Sequence, residues 1–375
     1  MGALEKILHL GSRKNVGQQM LWQGDMVSEF EPLISRIEQD APYKLSIFPD
    51  IMELKNKAEK VFGSVAVCSE DSLHSNMIDL PVTCAEAIVQ LGLRRAVNTR
   101  LMSGWYQDKL FFLINSEKSS STLHEIVIRI MLKDTLGLTE NFGIQRGLTY
   151  GPTEIGTEAS IHGLIHMYAP DGGVLRSPFL PYHGNYRRIK ILKNKVILLT
   201  RHPADRMVAR VCMNNDSTGV KLFNEKLAAG TAFNEMFELN INSSLRYDLE
   251  WMSGWLFTLK HTGLLYQVRY EDMLKDPHKH FNGIHKFLTG QEITQSISDQ
   301  ISDKMSRTKS GGDLQPGATK ARSYPKGYSG KVGVWRDYFN EKDIETYNKI
   351  VKSFLEYDPK AEGLLDIYPD LKLDE

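Results

Sequence analysis

The sequence predicts an α/β fold. Three apolar runs of strand length, at residues 110–114, 195–200 and 264–268, are each followed by a polar turn and then by a helical pattern. With 375 residues, of which 41% are hydrophobic, the chain is long enough to bury a large core. These observations favour one large α/β unit with an extension, or two domains.

The part of the chain before the first apolar run shows no clear strand pattern. Helical periodicity occurs there in pieces, for example at residues 26–37 and 84–93. We therefore predict a mainly helical N-terminal extension over residues 1–105, followed by an α/β domain over residues 106–375.

The first apolar run leads into a short loop that is rich in hydroxyl groups and contains one lysine. From Leu123 onward, apolar residues recur at helical spacing until Gly137 can end the helix. The loop therefore delivers its lysine to a helix N-terminus, where N–H groups and the helix dipole favour phosphate or sulfate. It has no glycine, unlike the G-x-x-x-x-G-K-[ST] loop of nucleotide triphosphatases. The predicted anion-binding residues are Lys118, Ser119, Ser120, Ser121 and Thr122.

Residues 118–122 resemble the loop with which sulfotransferases hold the 5′-phosphate of their sulfuryl donor, PAPS (3′-phosphoadenosine 5′-phosphosulfate). Two positions depart from the family pattern. Glu117 stands where proline is usual, and Ser120 stands where glycine is usual. Without a ligand, such a serine-rich turn serves only as a helix N-cap, which is the structural alternative.

The second apolar run ends directly before Arg201, which is followed by a His-Pro pair and a predicted helix. This is similar to the sulfotransferase segment in which an arginine, and a serine eight positions later, hold the 3′-phosphate of the donor. Arg201 matches the arginine, whereas Ala209 stands at the serine position. The serine contact is therefore absent, or a neighbour such as Arg210 or Ser217 replaces it. A magnesium-dependent triphosphatase would be expected to place an aspartate near such a strand end.

Two further segments follow in the order that the family has. The third apolar run leads into Tyr270, which opens a Tyr-Glu-Asp segment like the one in which the family places a tyrosine ring near the adenine. Residues 329–339 resemble the late glycine-rich stretch that closes over the 3′-phosphate and adenosine, which assigns Gly330 and Lys331 to donor binding. The basic residues 304–331, rich in Gly, Ser and Pro, predict a flexible loop with the charge of a lid.

The resemblance to PAPS-dependent sulfotransferases spans residues 110 to 340 and implies their P-loop-like fold, a central parallel sheet flanked by helices. It implies transfer of a sulfuryl group from PAPS to a hydroxyl or nitrogen of a small-molecule acceptor, with PAP as the product and without a metal. Lys118 would be catalytic, because it offsets the charge that develops as the sulfur–oxygen bond breaks. We expect a secondary metabolite of bacterial tailoring chemistry as acceptor, with a saxitoxin-type guanidinium alkaloid as one hypothesis.

The general base is the residue that the motifs identify least directly. Many sulfotransferases take it from a histidine in a Lys-Thr-His-x-Pro segment, and here Phe179 stands at the position of that histidine. His183, four residues later, is our candidate for the catalytic base. The alternatives are three other histidines and three glutamates: His124, His162, His166, Glu125, Glu154 and Glu158.

Two segments between the motifs complete the prediction. Residues 139–173 are rich in Gly, Thr and Glu and lack a strong period, so they are a candidate acceptor loop. Residues 222–260 carry many aromatic and methionine residues and are predicted to form one or two long helices.

Charge and cysteine usage narrow the class of protein. The 46 basic and 46 acidic residues balance, which argues against a nucleic-acid binder or a membrane-surface binder. Three widely spaced cysteines suit a reducing compartment, and no apolar run is long enough for a signal peptide or a membrane span, so we expect a cytoplasmic enzyme. Two other functions stay open: a P-loop kinase or other nucleotide triphosphatase, and a catalytically silent PAP-binding module.

Overall fold

A computed structural model of the chain describes residues 27–63, 83–115, 120–136, 171–177, 180–181, 183–212, 241–309 and 331–373. The chain divides into two compact units, one drawn from residues 1–106 and 162–171 and the other from residues 107–161 and 172–375. Because Asp171 belongs to the first unit, this division differs from an extension over residues 1–105, and the domain assignment stays a prediction.

Three helices form the described part of the first unit, and each begins at a start signal in the sequence. A capping box opens the third helix: the Thr83 side chain accepts a hydrogen bond from the N–H of Glu86 at 3.1 Å, and the Glu86 carboxylate accepts one from the N–H of Thr83 at 3.0 Å. A proline in the first turn starts the other two helices. The helices are α1 (Glu31–Asp40), α2 (Phe48–Phe62) and α3 (Cys84–Met102).

A buried arginine joins the ends of these helices. The fully buried Arg100 donates to the carbonyl of Ala41 at 2.8 Å and to that of Lys44 at 2.7 Å, and it forms an ion pair with Asp171 at 2.8 Å. Its guanidinium carbon also lies 3.8 Å from the centre of the Trp105 ring. Since a buried charge is tolerated only when it is paired, these contacts explain why Asp171 belongs to this unit.

A four-stranded parallel sheet with the strand order β2-β1-β3-β4 organises the second unit, which confirms the predicted fold class. β1 and β3 lie in its centre and are completely buried, as continuous apolar runs require. The sequence predicts β1, β3 and β4 to within one residue but does not predict β2, whose five residues include an arginine and a serine. The strands are β1 (Leu110–Asn115), β2 (Gly173–Ser177), β3 (Val196–Thr200) and β4 (Leu265–Arg269).

Helices connect the strands and continue beyond the sheet. α4 begins within the predicted serine-rich turn and ends directly before Gly137. Of the predicted helices over residues 222–260, the structure describes a π-helical turn, Ile241–Leu245, which continues into α7; residues 222–240 lie outside the described residues. The helices of this unit are α4 (Ser121–Leu136), α5 (His183–Leu192), α6 (Pro203–Cys212), α7 (Arg246–Leu259), α8 (Tyr270–Lys275), α9 (Pro277–Thr289), α10 (Gln295–Lys309), α11 (Glu341–Tyr357) and α12 (Glu362–Ile367), with a 3₁₀ turn at Val334–Asp337. Within the described ranges, no helix is long and apolar enough to cross a membrane.

The first residues of the predicted lid are helical. α10 extends to Lys309, and Ile297, Ile301 and Met305 recur at every fourth position and bury one of its faces. The prediction of a flexible loop is therefore wrong for residues 304–309, because the apolar spacing outweighs the basic composition. Residues 310–330 lie outside the described part of the chain.

The core of the second unit lies between the sheet and helices α4, α9 and α10. Phe111 and Leu113 of β1, and Ile197 and Leu199 of β3, point alternate side chains into it. Because all four strands are parallel, this packing brings the turns that follow β1, β3 and β4 to a single edge of the sheet.

Candidate functional site

The candidate site is the edge of the sheet at which the four strands end. In the sheet register Asn115 pairs with Leu199, and Thr200 pairs with Arg269, so β1, β3 and β4 end nearly level with one another. The residues that follow these strand ends belong to three of the predicted donor-binding segments. Open parallel sheets bind their ligands outside this edge. The fold therefore collects at one place motifs that are far apart in the sequence.

The turn after β1 is described from Ser120 onward, so Lys118 and Ser119 lie outside the described residues. Ser121 and Thr122 are the first residues of α4, and only their backbone is described. Ser120 has a φ of 62°, in the left-handed region. That conformation costs a residue with a side chain about 1–2 kcal/mol, whereas glycine adopts it readily. This is a physical reason for glycine at the position that Ser120 occupies here.

Two buried histidines lie beside this turn. The Nδ1 of His124 lies 3.0 Å from the carbonyl oxygen of Ser120, and its Nε2 lies 2.8 Å from the Nε2 of His280 in α9. Burial lowers the pKa of His124 to about 4 and that of His280 to about 2, so both rings are neutral near pH 7. The motifs do not single out His280, because nothing in the local sequence of α9 distinguishes it from a surface histidine.

Arg201 and Tyr270, which follow two neighbouring strands, are in contact. The guanidinium carbon of Arg201 lies 4.5 Å from the centre of the Tyr270 ring. Only 3% of Arg201 is exposed. Stacking on the ring orients the guanidinium, whose in-plane N–H groups match the oxygens of a phosphate. Ala209 is buried in α6 and offers no hydroxyl; the side chain of Arg210, and Ser217, lie outside the described residues.

A hydrogen-bond network holds the backbone on either side of Arg201. The hydroxyl of Tyr368 donates to Thr200 Oγ1 at 2.8 Å, and the N–H of His202 donates to the Glu271 carboxylate at 2.7 Å. Burial raises the pKa of Tyr368 well above its usual value, so its hydroxyl stays protonated and remains a donor. Sequence reasoning missed Tyr368, because it lies near the end of the chain and belongs to none of the motifs.

Asp205 ties the late glycine-rich stretch to the helix that follows Arg201. Its carboxylate accepts hydrogen bonds from the N–H of Gly333 at 2.7 Å and from the N–H of Trp335 at 3.1 Å. Asp205 is 1% exposed and Trp335 is 6% exposed, so both bonds are shielded from water. Gly333 has a φ of 73°, which a side chain would disfavour. Two motifs that the sequence shows separately are thus joined directly.

Lys331, a predicted donor-binding residue, lies close to this junction. It forms an ion pair with Asp337 at 2.8 Å, and both side chains are about half exposed. An ion pair in water contributes little, so Lys331 can exchange this carboxylate for another anion at small cost. Gly330 lies outside the described residues.

The structure bears on two of the alternative general bases. Both ring nitrogens of His124 are engaged with Ser120 and His280, and the buried Glu125 pairs with Arg176 of β2 at 2.7 Å. Neither side chain is therefore placed to accept a proton from an acceptor molecule. For His183, only the backbone is described, as the first residue of α5, and its role stays a prediction. The remaining base candidates and the position of the missing histidine lie outside the described residues: Glu154, Glu158, His162, His166 and Phe179.

No group of three or more potential metal ligands occurs in the described ranges of the chain.

Comparison with known proteins was made for the whole chain. The family model of the sulfotransferase domain matches residues 100–362. A search of curated proteins returns no match. Among solved structures, the chain is similar to a mouse sulfotransferase complexed with PAP, with 18% identity and a TM-score of 0.47 over 71% of this chain and 88% of that one. Retinol dehydratase in complex with androsterone and inactive cofactor PAP matches at 17% identity and a TM-score of 0.43, over 68% of this chain and 84% of that one. The sulfotransferase domain from the curacin biosynthetic pathway matches at 12% identity and a TM-score of 0.32, over 71% and 98%.

Proposed function

Since this chain belongs to the sulfotransferase family, and is therefore a PAPS-dependent sulfotransferase, we propose that it transfers the sulfuryl group to a hydroxyl or nitrogen of a small-molecule acceptor. The observation that carries the residue assignments is the position of Arg201. Its buried guanidinium stacks on Tyr270 at the sheet edge where α4 begins. A fixed guanidinium and a helix N-terminus at one edge suit a ligand with two separate phosphate groups.

In this proposal the donor lies along the C-terminal edge of the sheet. Arg201 binds the 3′-phosphate, and the ring of Tyr270 lies near the adenine. Residues 119–122, together with the N–H groups at the start of α4, bind the 5′-phosphate. Gly330 and Lys331 close over the 3′-phosphate, and the bonds from Asp205 support this, because they fasten the neighbouring Gly333 and Trp335 to the helix after Arg201.

PAPS, when bound, supplies the sulfuryl group, and PAP is the leaving group. Lys118 offsets the negative charge that grows on the bridging oxygen as the sulfur–oxygen bond breaks. His183 accepts the proton of the acceptor hydroxyl or amine as the new bond to sulfur forms. The residues of the chain thus orient the donor, stabilise the leaving phosphate and move one proton.

The acceptor and the cellular location are the finer parts of the proposal. We propose a secondary metabolite as acceptor, and a saxitoxin-type guanidinium alkaloid is one candidate to test. A cytoplasmic location is supported by the three widely spaced cysteines. Incubation of acceptor pools with labelled PAPS, followed by isolation of the labelled product, would identify the acceptor and show whether oxygen or nitrogen is sulfated.

Arg201→Ala tests the assignment of the 3′-phosphate. Wild type should prefer PAPS over the same donor without its 3′-phosphate. The variant should lose this preference and show a donor KM raised roughly 10- to 150-fold, since an arginine–phosphate contact contributes about 1.5–3 kcal/mol. Steady-state kinetics with both donors measures the effect. Wild-type preference in the variant would place the 3′-phosphate elsewhere.

Arg269→Ala is a matched control, because Arg269 ends the neighbouring strand at the same edge. Its guanidinium lies 4.9 Å from the centre of the Tyr368 ring and donates to the carbonyl of Ile367 at 2.9 Å. Its loss should lower stability and leave the donor preference unchanged. Magnesium-dependent ATP turnover by wild type would instead favour a P-loop kinase, and PAP binding without transfer to any acceptor would favour a silent binding module.

A further inference from the structure

Two histidines from distant parts of the chain lie next to the turn that precedes α4. The carbonyl oxygen of Ser120 accepts a hydrogen bond from the backbone N–H of His124 at 3.1 Å and lies 3.0 Å from Nδ1 of the same residue. The Nε2 of His124 lies 2.8 Å from the Nε2 of His280, which is 156 positions away in the sequence. The backbone of Ser120 is therefore held by the helix and by a pair of imidazoles.

These contacts determine where the protons of the pair lie. The Nδ1 of His124 faces a carbonyl oxygen, which can only accept, so this nitrogen carries a proton. The Nε2 of the neutral ring is then an acceptor, and His280 donates its own Nε2 proton to it. Burial favours the neutral form of both rings, as their lowered pKa values show. The bonds thus run in one direction, from His280 through His124 to the carbonyl of Ser120.

Ser120 needs to be held, because its φ of 62° lies in the left-handed region. Serine disfavours this conformation, whereas glycine adopts it readily. The two imidazoles are themselves fixed by Phe281, whose ring centre lies 5.3 Å from that of His124 and 5.1 Å from that of His280. A rigid N–H donor aimed at the Ser120 carbonyl therefore favours the left-handed conformation over the other conformations of the turn.

We propose that His124 and His280 are positioning residues that hold Ser120 in its left-handed conformation and thereby shape residues 118–122 for the 5′-phosphate of the donor. The inference rests on the proposed function, because it takes the 5′-phosphate to bind at the start of α4. Both imidazoles act through the backbone of Ser120. On this basis the chain uses a serine where the family usually has glycine, because the imidazole pair compensates for the backbone strain.

The test compares the binding of PAP with that of adenosine 3′-phosphate, which lacks the 5′-phosphate, by calorimetric titration. Wild type should bind PAP more tightly. His280→Phe keeps the aromatic volume but removes the donor, and it should weaken PAP binding about tenfold, the size of one coupled contact, without changing adenosine 3′-phosphate binding. His280→Gln, whose amide can donate to His124, should keep wild-type PAP affinity.

Ser120→Gly separates positioning from general stability. In the His280→Phe background it should restore most of the PAP affinity, because glycine needs no support in the left-handed region. His285→Phe is the matched control: this buried histidine lies on the same helix, where its ring nitrogens contact Thr135 Oγ1 at 2.7 Å and the carbonyl of Gln291 at 2.8 Å. It should lower the melting temperature and leave the preference for PAP intact.

The outcomes separate this inference from the proposed function. Equal binding of the two ligands by wild type would overturn the 5′-phosphate site itself. A preference for PAP in wild type that His280→Phe retains within about twofold, or that Ser120→Gly fails to restore, would overturn only the positioning role. If His280→Phe does not fold, ¹⁵N spectra of histidine-labelled wild type decide: the inference requires a proton on Nδ1 of His124 and on Nε2 of His280, and any other pair of tautomers contradicts it.

Discussion

Asp205→Asn should uncouple the glycine-rich stretch from α6 and weaken PAP binding. The two carboxylate oxygens each accept one backbone N–H, from Gly333 at 2.7 Å and from Trp335 at 3.1 Å. Asparagine has one oxygen, so one of these N–H groups would face an NH₂ donor in a buried site. A hydrogen bond to a charged group contributes about 1.5–3 kcal/mol, and the opposed donors add to its loss, so the free energy of unfolding should fall by about 2–4 kcal/mol.

Two measurements check this prediction. Denaturant unfolding gives the change in stability, and calorimetric titration should show a PAP dissociation constant raised about tenfold, because the donor would have to order residues 333–335 when it binds. Asp366→Asn is the matched control. Its carboxylate pairs with Lys260 at 2.6 Å but is 66% exposed, so the same chemical change should alter stability by no more than about 0.5 kcal/mol.

The two readouts can refute different steps of the reasoning. A loss of stability with unchanged PAP affinity would mean that residues 333–335 do not contribute to donor binding. Unchanged stability would mean that the bonds from Asp205 to Gly333 and Trp335 contribute nothing in solution.

Two further predictions concern acid stability and turnover. Because the folded-state pKa values of His124 and His280 are lowered to about 4 and about 2, the unfolded chain binds protons below pH 6.5 that the folded chain does not. The free energy of unfolding should therefore fall by up to about 1.4 kcal/mol per pH unit and per histidine from pH 6.5 down to pH 4, and His280→Phe should have a shallower slope in urea-unfolding series. Lys118→Ala should abolish turnover while weakening PAP affinity less, because its charge matters most as the leaving group develops; near wild-type turnover would contradict the assignment.

The strands and the turns that follow them were predictable from the sequence, because their signals are local. A continuous apolar run such as residues 110–114 has to be buried on both faces, and the polar residues after it begin the site. Local reasoning failed where the signal was short or mixed. β2 has only five residues, and in residues 304–309 the basic composition concealed the apolar face that continues through Met305.

The sequence by itself determined the α/β class, the family and the order of the donor-binding motifs, since each is written in a few adjacent residues. Only the tertiary structure decided how those motifs are supported. The contacts of His124 with His280, of Asp205 with Trp335 and of Tyr368 with Thr200 span 156, 130 and 168 positions. Packing of helices on a parallel sheet creates such contacts, and no spacing rule relates residues that far apart, because their neighbourhood exists only once the strands have paired.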